Sequence, residues 1–202
     1  MSVILGVSGS PVPQSFQESC DEAVWKTEPM RIAGGRYGAE ITIRCTVQPS
    51  LGGDLGKLES YSMDEMKKNG TIVQGPTPET FEGMPSNWMD YVVRRTDKDM
   101  EVTVRQDLHL ANDLSTRMVL STRSTEVVGT GNADHLKAAN VRVEIRKTSD
   151  AASDEALFTV YGEVTKPWYL PESVMLSQAK KRGPAEFQKL SLKLLAEMAR
   201  NY

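Results

Sequence analysis

The stretch that decides the fold is residues 100–110, which read MEVTVRQDLHL. Apolar residues occupy every second position, and the pattern is broken only at Gln106. Because successive side chains of a strand point to opposite faces, the segment predicts a strand with one dry and one wet face. The dry face consists of Met100, Val102, Val104, Leu108 and Leu110, and the wet face includes Arg105, Asp107 and His109.

The same alternation recurs on both sides of this segment. Residues 40–47 alternate, and Val141, Val143 and Ile145 are separated by Arg142 and Glu144. Strands of a parallel sheet are covered on both faces and form continuous apolar runs, so one-sided strands indicate an antiparallel sheet. Further strands are predicted over 89–95, 117–128 and 157–165. Strand therefore follows strand over residues 88–165, which predicts an antiparallel meander.

The end of the chain has helical spacing. Over residues 184–200, one stripe carries Phe187, Leu190, Leu194 and Met198, and another face is charged. This is the pattern of a helix packed on a core along one side. Such a helix would be ~25 Å long, enough to cross several strands. Gly183-Pro184 is expected to separate it from another helix over 172–182.

The first third of the chain is less regular. Short helices are predicted over 14–26 and 54–68, and the prolines and glycines of residues 70–85 predict a loop. No change of composition marks a linker. We therefore expect a single domain over 1–202, with strands, short helices and a loop in 1–85, the meander in 86–165 and the C-terminal helices in 171–200.

Composition narrows the classes of protein. Apolar residues make up 39% and charged residues 25% of the 202 residues, as in globular domains. A net charge of −3 argues against non-specific nucleic-acid binding. Without a basic leader or an apolar span, the chain is expected to be cytoplasmic. Cys20 and Cys45 are then expected to be reduced, with a disulfide as the alternative.

Two glycine-containing stretches are similar to nucleotide-binding loops. Residues 3–11, VILGVSGSP, resemble the opening of flavodoxin-like FMN reductases, but no alternating βαβ units follow, so an edge strand and turn are expected. Residues 129–135, GTGNADH, precede the next strand too closely for a crossover helix, which favours a loop between antiparallel strands. The sequence thus predicts no cofactor and no metal site.

The predicted order of elements resembles a known family. It consists of short helices, a long antiparallel run with one dry face and a final amphipathic helix. This order is similar to the helix-grip arrangement of the START-like, or polyketide cyclase-like, superfamily. The resemblance is topological, covers residues 14–200 and rests on no motif. It implies a curved sheet that wraps the C-terminal helix and leaves an apolar cavity between them.

The resemblance also implies which residues would surround that cavity. The sheet would supply a wall, with Gln106 as its one polar group, and the helix would supply a lid. The ligand-binding residues predicted in this way are Met100, Val102, Val104, Gln106, Leu108, Val141, Val143, Phe187, Leu190 and Leu194. The alternative is that these apolar faces pack solid.

Three functions follow from these predictions. The first is non-enzymatic binding or transfer of an apolar or amphipathic, lipid-like small molecule. The second is an interaction module using residues 168–171 or the loop near Trp88, since aromatic residues are enriched at interfaces. The third is an enzyme with His109 or His135 as acid–base group. A peripheral membrane contact is also considered, through Trp168, Lys180, Lys181 and Arg182.

Overall fold

The computed structural model of the chain describes residues 19–47, 55–97, 99–149 and 153–200. A 3-10 turn, Ala33–Gly35, joins the second and third strands. The regular elements are β1 (Ser19–Cys20), β2 (Val24–Arg31), β3 (Arg36–Val47), α1 (Leu55–Asn69), β4 (Gly70–Phe81), β5 (Met84–Asp97), β6 (Met100–Asn112), β7 (Arg117–Gly131), β8 (Leu136–Lys147), β9 (Asp154–Thr165) and α2 (Glu172–Arg200).

The strands form one antiparallel sheet in the order β3-β9-β8-β7-β6-β5-β4, with β1 and β2 both paired to the outer edge of β3. The first long strand thus pairs with the last, and the strands between them form a meander. This order, with a helix after the last strand, is the helix-grip arrangement. The predicted α+β class, the antiparallel meander and the C-terminal helix are confirmed.

Strand register decides which side chains share a face. Pairing aligns one row across the sheet, and residues in such a row project to the same side. The row consists of Met89, Leu108, Thr122, Val141, Val160 and Ile41. This side, here called the helix-side face, packs against both helices, since Leu58 and Leu195 are fully buried in its core cluster. The opposite side is called the outer face.

The two helices cover different parts of the helix-side face. α1 contacts β4, β6 and β7, whereas the main contacts of α2 are with β1, β2 and β3. Leu55, Leu58 and Met66 anchor α1, and the buried hydroxyl of Tyr91 donates a hydrogen bond to the Met66 carbonyl at 2.6 Å. The C-terminal helix therefore lies at one side of the sheet rather than along its middle.

The C-terminal helix differs from the prediction in continuity. α2 is one helix with Pro184 inside it, so the break expected at Gly183-Pro184 is wrong. A proline removes one backbone donor and crowds the preceding turn, which usually weakens a helix. Here Phe187, Ser191 and Leu195 pack after the proline, and this packing supports the helix beyond it.

The face that α2 turns to the sheet also differs. Ser191 and Leu195 are buried and Phe187 is half-buried, but Leu190 is 62% and Leu194 41% exposed. The cause is a close contact one turn earlier. A Cβ atom on Gly183 would lie 2.5 Å from Cζ2 of Trp25, so the helix approaches the sheet along its small residues. The predicted lid residues Leu190 and Leu194 therefore face outward, and the side chain of Met198 lies outside the described part.

The N-terminal region is strand where a helix was predicted. Residues 19–20 and 24–31 form β1 and β2, which pair with β3, and residues 14–18 lie outside the described chain, as does the strand expected over 3–11. Cys20 stands opposite Cys45 with Cα atoms 4.0 Å apart, and the two form a disulfide. The expectation of a reduced pair is wrong, because strand pairing brings the two residues together.

Residues 70–81 form β4, which corrects the predicted loop. β4 is the edge strand of the sheet, and its register with β5 shifts between Ile72 and Gln74 and again before Thr77. Proline is tolerated at such edges and irregularities because it need not donate to a neighbouring strand. The loop expected at 129–135 does join antiparallel strands, since β7 ends at Gly131 and β8 begins at Leu136.

Candidate ligand cleft

A cleft of about 310 Å³ opens on the helix-side face over β5 to β8. No described residue of α2 contributes to its wall. We call it the central cleft. Its lining residues are Val93, Arg95, Val102, Val104, Gln106, Thr122, Leu136, Ala139 and Val141.

The central cleft is built from the alternation of β6 and an irregularity in β7. Val102, Val104 and Gln106 project to the same side because they are two residues apart. The register between β6 and β7 shifts at Arg105 and Gln106, leaving Thr125 as an extra residue in β7. The Thr125 hydroxyl donates to the Arg105 carbonyl at 3.2 Å. Such a bulge changes which β7 residues face inward beyond it.

Gln106 and Thr122 are the buried polar residues of the cleft wall, 9% and 8% exposed. The Gln106 Nε2 donates to the Ala139 carbonyl at 3.2 Å and lies 3.4 Å from the Thr122 hydroxyl. Thr122 in turn donates to the Val141 carbonyl at 3.3 Å. The amide donors are therefore used within the protein, as buried polar groups require. These hydrogen bonds hold the Gln106 amide in one position in a mostly apolar wall.

Arg95 lies at the exposed end of the wall. It pairs in register with Val102 and shares the helix-side face with Val93 and Tyr91. Burial raises the pKa of the Tyr91 hydroxyl, and the positive charge of Arg95 opposes that rise. The guanidinium thus acts on the helix-side face and not on the outer face.

A second space of about 260 Å³, the edge cleft, lies between α2 and the β2–β3–β9 side of the sheet. It is almost entirely apolar. Burial and a hydrogen bond to Glu172 raise the pKa of Tyr37, which is its main polar group. The other lining residues include Trp25, Ile41, Val160, Val164, Met175, Leu176 and Ala179.

Four of the predicted ligand-binding residues line the central cleft: Val102, Val104, Gln106 and Val141. Leu108 and Val143 are buried in the sheet, and Met100 is 37% exposed at the start of β6. The helix residues Phe187, Leu190 and Leu194 line neither cleft. As ligand contacts, all ten remain predictions.

Sequence reasoning did not identify several lining residues. The positions missed are Val93, Arg95, Thr122, Leu136 and Ala139. Alternation through Tyr91, Val93 and Arg95 could have identified the first two. In β8, Ala139 continues the alternation of Val141 and could have been identified in the same way. Leu136 carried no comparable signal, because it lies beyond a register shift with β9.

The two histidines lie away from both clefts. His109 is on the outer face, where its Nδ1 contacts Glu79 and its ring stacks on Phe81 with centroids 4.5 Å apart. The Nδ1 of His135 lies 3.3 Å from the Thr165 hydroxyl. The acid–base hypothesis required a histidine in the cavity wall, and neither imidazole is in the wall of these two clefts.

The outer face is charged and internally paired. The Glu144 side chain, 4% exposed, accepts hydrogen bonds from Arg117 at 2.7 Å, from Arg142 at 3.0 Å and from Arg146. Burial alone would raise the pKa of Glu144, but these three guanidinium groups outweigh it and lower that pKa to about 2. Glu82, at the β4–β5 turn, reaches Arg117 and Arg142 at 2.7 Å each.

Two further observations concern the described residues as a whole. Over 19–47, 55–97, 99–149 and 153–200, no three histidine, cysteine or acidic side chains come together as a metal site. None of the helices in these ranges combines the length and apolar character that a membrane crossing demands.

Comparison with known proteins gives distant structural similarity only. No family model and no curated protein matches the chain. Ara h 8.0201 is similar with a TM-score of 0.36 and 15% identity, over 77% of this chain and 97% of that one. The human StarD13 (DLC2) lipid transfer and protein localization domain is similar with a TM-score of 0.39 and 12% identity, over 87% and 86%. The Rhizobium loti protein Mll3558 has a TM-score of 0.34 and 17% identity, over 75% and 94%. Similarity at this level does not say what this chain binds.

Proposed function

We propose that the chain binds a hydrophobic or lipid-like small molecule in the central cleft and does so without catalysing a reaction. The observation that carries the proposal is an open space of about 310 Å³ on the helix-side face, with a mostly apolar wall formed by residues of β5 to β8. Small-molecule sites have volumes of a few hundred Å³ and mostly apolar walls with a few polar groups.

The energetic argument rests on the uncovered apolar surface. Val93, Val104 and Val141 are part of the core packing and of the cleft wall, so the core continues into an open space. Covering apolar surface is favourable by roughly 25 cal/mol per Å². A ligand with an apolar body would gain this free energy, and Gln106 would limit the orientations it can adopt.

A matched pair of alanines in β8 tests the proposal. Ala139 lines the central cleft, whereas Ala138 is its half-buried neighbour and projects to the outer face. In Ala139→Phe the ring should fill the cleft and abolish binding of an environment-sensitive apolar dye. Ala138→Phe should bind the dye like wild type.

Stability measured by urea unfolding provides the control for both variants. The proposal fails if wild-type protein enhances the dye no more than a denatured sample does. It also fails if Ala139→Phe, still folded by circular dichroism, binds the dye as tightly as wild type. Native mass spectrometry of protein purified from cells should in addition show a retained apolar ligand.

A second candidate is an interaction surface on the segment between β9 and α2. Trp168 is 90% and Tyr169 64% exposed, and their rings meet edge to face with centroids 5.8 Å apart. Trp88, by contrast, is half-buried within β5 and offers no loop. Large exposed aromatic side chains are typical of interface centres. The variant Trp168→Ala should then abolish recovery of a partner that wild-type protein retains.

The predicted membrane contact is part of this second candidate. Lys180 forms a salt bridge of 2.5 Å with Glu28, so its charge is partly compensated. Lys181 and Arg182 follow on α2. Vesicles with anionic headgroups should sediment wild-type protein more strongly than neutral vesicles if these cations and Trp168 meet a membrane. Equal sedimentation with both would contradict the contact.

The disulfide bears on the predicted cytoplasmic location. Disulfides persist in oxidising compartments and are uncommon in the reducing cytosol. The Cys20–Cys45 bond therefore favours an oxidising location over the predicted one. Alkylation of protein in intact cells, followed by mass measurement, distinguishes the two. Unmodified cysteines indicate the disulfide, and two alkylated cysteines would support the cytoplasm.

A further inference from the structure

We infer that the ligand of the central cleft is an anionic amphiphile, a single-chain carboxylate whose acid group is bound by Arg95. This inference rests on the proposed function and adds the class of ligand. The decisive observation is one cation at the exposed end of a wall that is otherwise uncharged.

Arg95 is unusual for its position in β5. A surface arginine of a strand normally belongs to the wet face, as Arg94 does, where it pairs with Glu101 at 2.6 Å. Arg95 instead follows Tyr91 and Val93 on the helix-side face, next to Val102. The alternation therefore places a permanent positive charge on the apolar side of the sheet.

This charge lacks a fixed partner within the described part of the chain. Several other arginines of the sheet are paired with carboxylates, among them Arg105 with Asp90 and Arg36 with Glu163. No ion pair or hydrogen bond among the described residues uses the Arg95 guanidinium, and no acidic side chain is in the described wall of the cleft. With respect to the side chains that the structure describes, the cation is thus available to a ligand.

The remaining polar groups do not compete for an anion. Gln106 has its amide donors directed to the Ala139 carbonyl and the Thr122 hydroxyl. Thr122 has its hydroxyl directed to the Val141 carbonyl. Further into the cleft, the wall offers mainly apolar contacts from Val104, Leu136 and Val141. A ligand that contacts both Arg95 and the apolar residues therefore has one anionic end and one apolar chain.

A carboxylate fits this arrangement better than a neutral head group. Guanidinium groups bind carboxylates through two parallel hydrogen bonds with good geometry. Because Arg95 is exposed, water and salt weaken the interaction, and we expect a preference of about five- to tenfold rather than several hundredfold. The preference should fall as salt is raised.

The experiment compares two probes of equal chain length, decanoate and 1-decanol, by displacement of an apolar dye at pH 8. Wild-type protein should bind decanoate about five- to tenfold more tightly than 1-decanol. Arg95→Gln should lose the preference and bind the two probes with similar affinity. Arg95→Lys, which retains the charge but not the paired donors, should keep part of the preference.

Arg94→Gln is the matched control, because it removes a neighbouring positive charge from the outer face. It should behave like wild type with both probes. The inference is overturned if wild type binds both probes equally or if the preference survives unchanged in Arg95→Gln. Absence of binding by either probe would instead remove the proposed function itself, so the two failures are distinguishable.

Discussion

The two faces of the same strands differ in how completely they are occupied. On the outer face of β8, Arg142 and Glu144 belong to a network in which acids and bases satisfy each other. On the helix-side face, Val141 borders an open cleft and Val143 is buried in the core. The polar face is therefore the closed one, and the apolar face is the one with room for another molecule.

The difference follows from how the faces are covered. The β4–β5 turn folds onto the outer face, where Glu82 joins the arginines and Met84 packs on Ala111 and Val119. The helix-side face is covered by α1 and α2, which lie over separate parts of the sheet. The two helices leave part of the sheet between them open, whereas the β4–β5 turn brings Glu82 onto the arginines of the outer face.

Removing the centre of the ionic network should have the largest effect on stability. Glu144→Gln leaves three arginines around a neutral side chain, and disrupting a buried ion pair costs about 3 kcal/mol. Urea unfolding at pH 7 measures the loss. Glu126→Gln, on an exposed position of β7, should change the free energy of unfolding by less than about 0.5 kcal/mol. If Glu144→Gln changed the free energy of unfolding by as little, the ion pairs of Glu144 would not stabilise the outer face.

Acid should weaken the same network without a mutation. The pKa of Glu144 is lowered from 4.5 to about 2 in the folded protein. The stabilisation from Glu144 is therefore fully present above pH 4.5 and is lost as pH falls through about 2. The stability difference between wild type and Glu144→Gln, measured by urea unfolding from pH 6 downward, should shrink over that range. A constant difference would contradict the pKa shift.

A smaller effect is expected where α2 meets the sheet. A side chain at position 183 would meet the Trp25 ring, so Gly183→Val should shift the helix and reduce stability by about 1–2 kcal/mol. Trp25 fluorescence should shift to longer wavelength as the ring becomes exposed. Ala185→Val, on the exposed side of α2, is the control and should affect helix propensity alone. If both variants lost the same stability, the contact of Gly183 with Trp25 would not be what orients the helix.

The smallest stability change is expected for Gln106→Leu. This variant makes the cleft wall more apolar and so increases the difference between the helix-side face and the charged outer face. The variant leaves the Ala139 carbonyl without one of its donors, and we expect a loss of about 1 kcal/mol or less. Binding of a neutral apolar dye should become tighter. Weaker dye binding with unchanged stability would indicate that Gln106 contacts the dye directly.

The sequence predicts the strands well where one face alternates without interruption. β6 and β8 and the alternating part of β3 were identified because their apolar residues recur at every second position. The apolar stripe of Phe187, Leu190, Leu194 and Met198 predicts the C-terminal helix but not its orientation. That orientation depends on the contact of Gly183 with Trp25, which are far apart in the chain.

The remaining errors have a similar origin. β1 and β2 depend on pairing with β3, so their own residues carry little strand signal. The central cleft exists because the helices leave part of the sheet uncovered. The alternation of residues within single strands does not predict where the helices lie. Of the three polar residues in the cleft wall, the sequence predicts Gln106 but neither Thr122 nor Arg95. The prediction of a strand over 89–95 does not include which face of that strand is buried.

The prolines of β4 have a consequence for association between molecules. β1 and β2 cover one edge of the sheet, and β4 forms the other. Pro76 and Pro78 lack the N–H groups that an incoming strand would need, so they protect this edge from growth by strand addition. Replacing both with valine would offer a continuous ladder to a neighbouring chain. Pro76 and Pro78 thus mark the edge of the sheet rather than a loop.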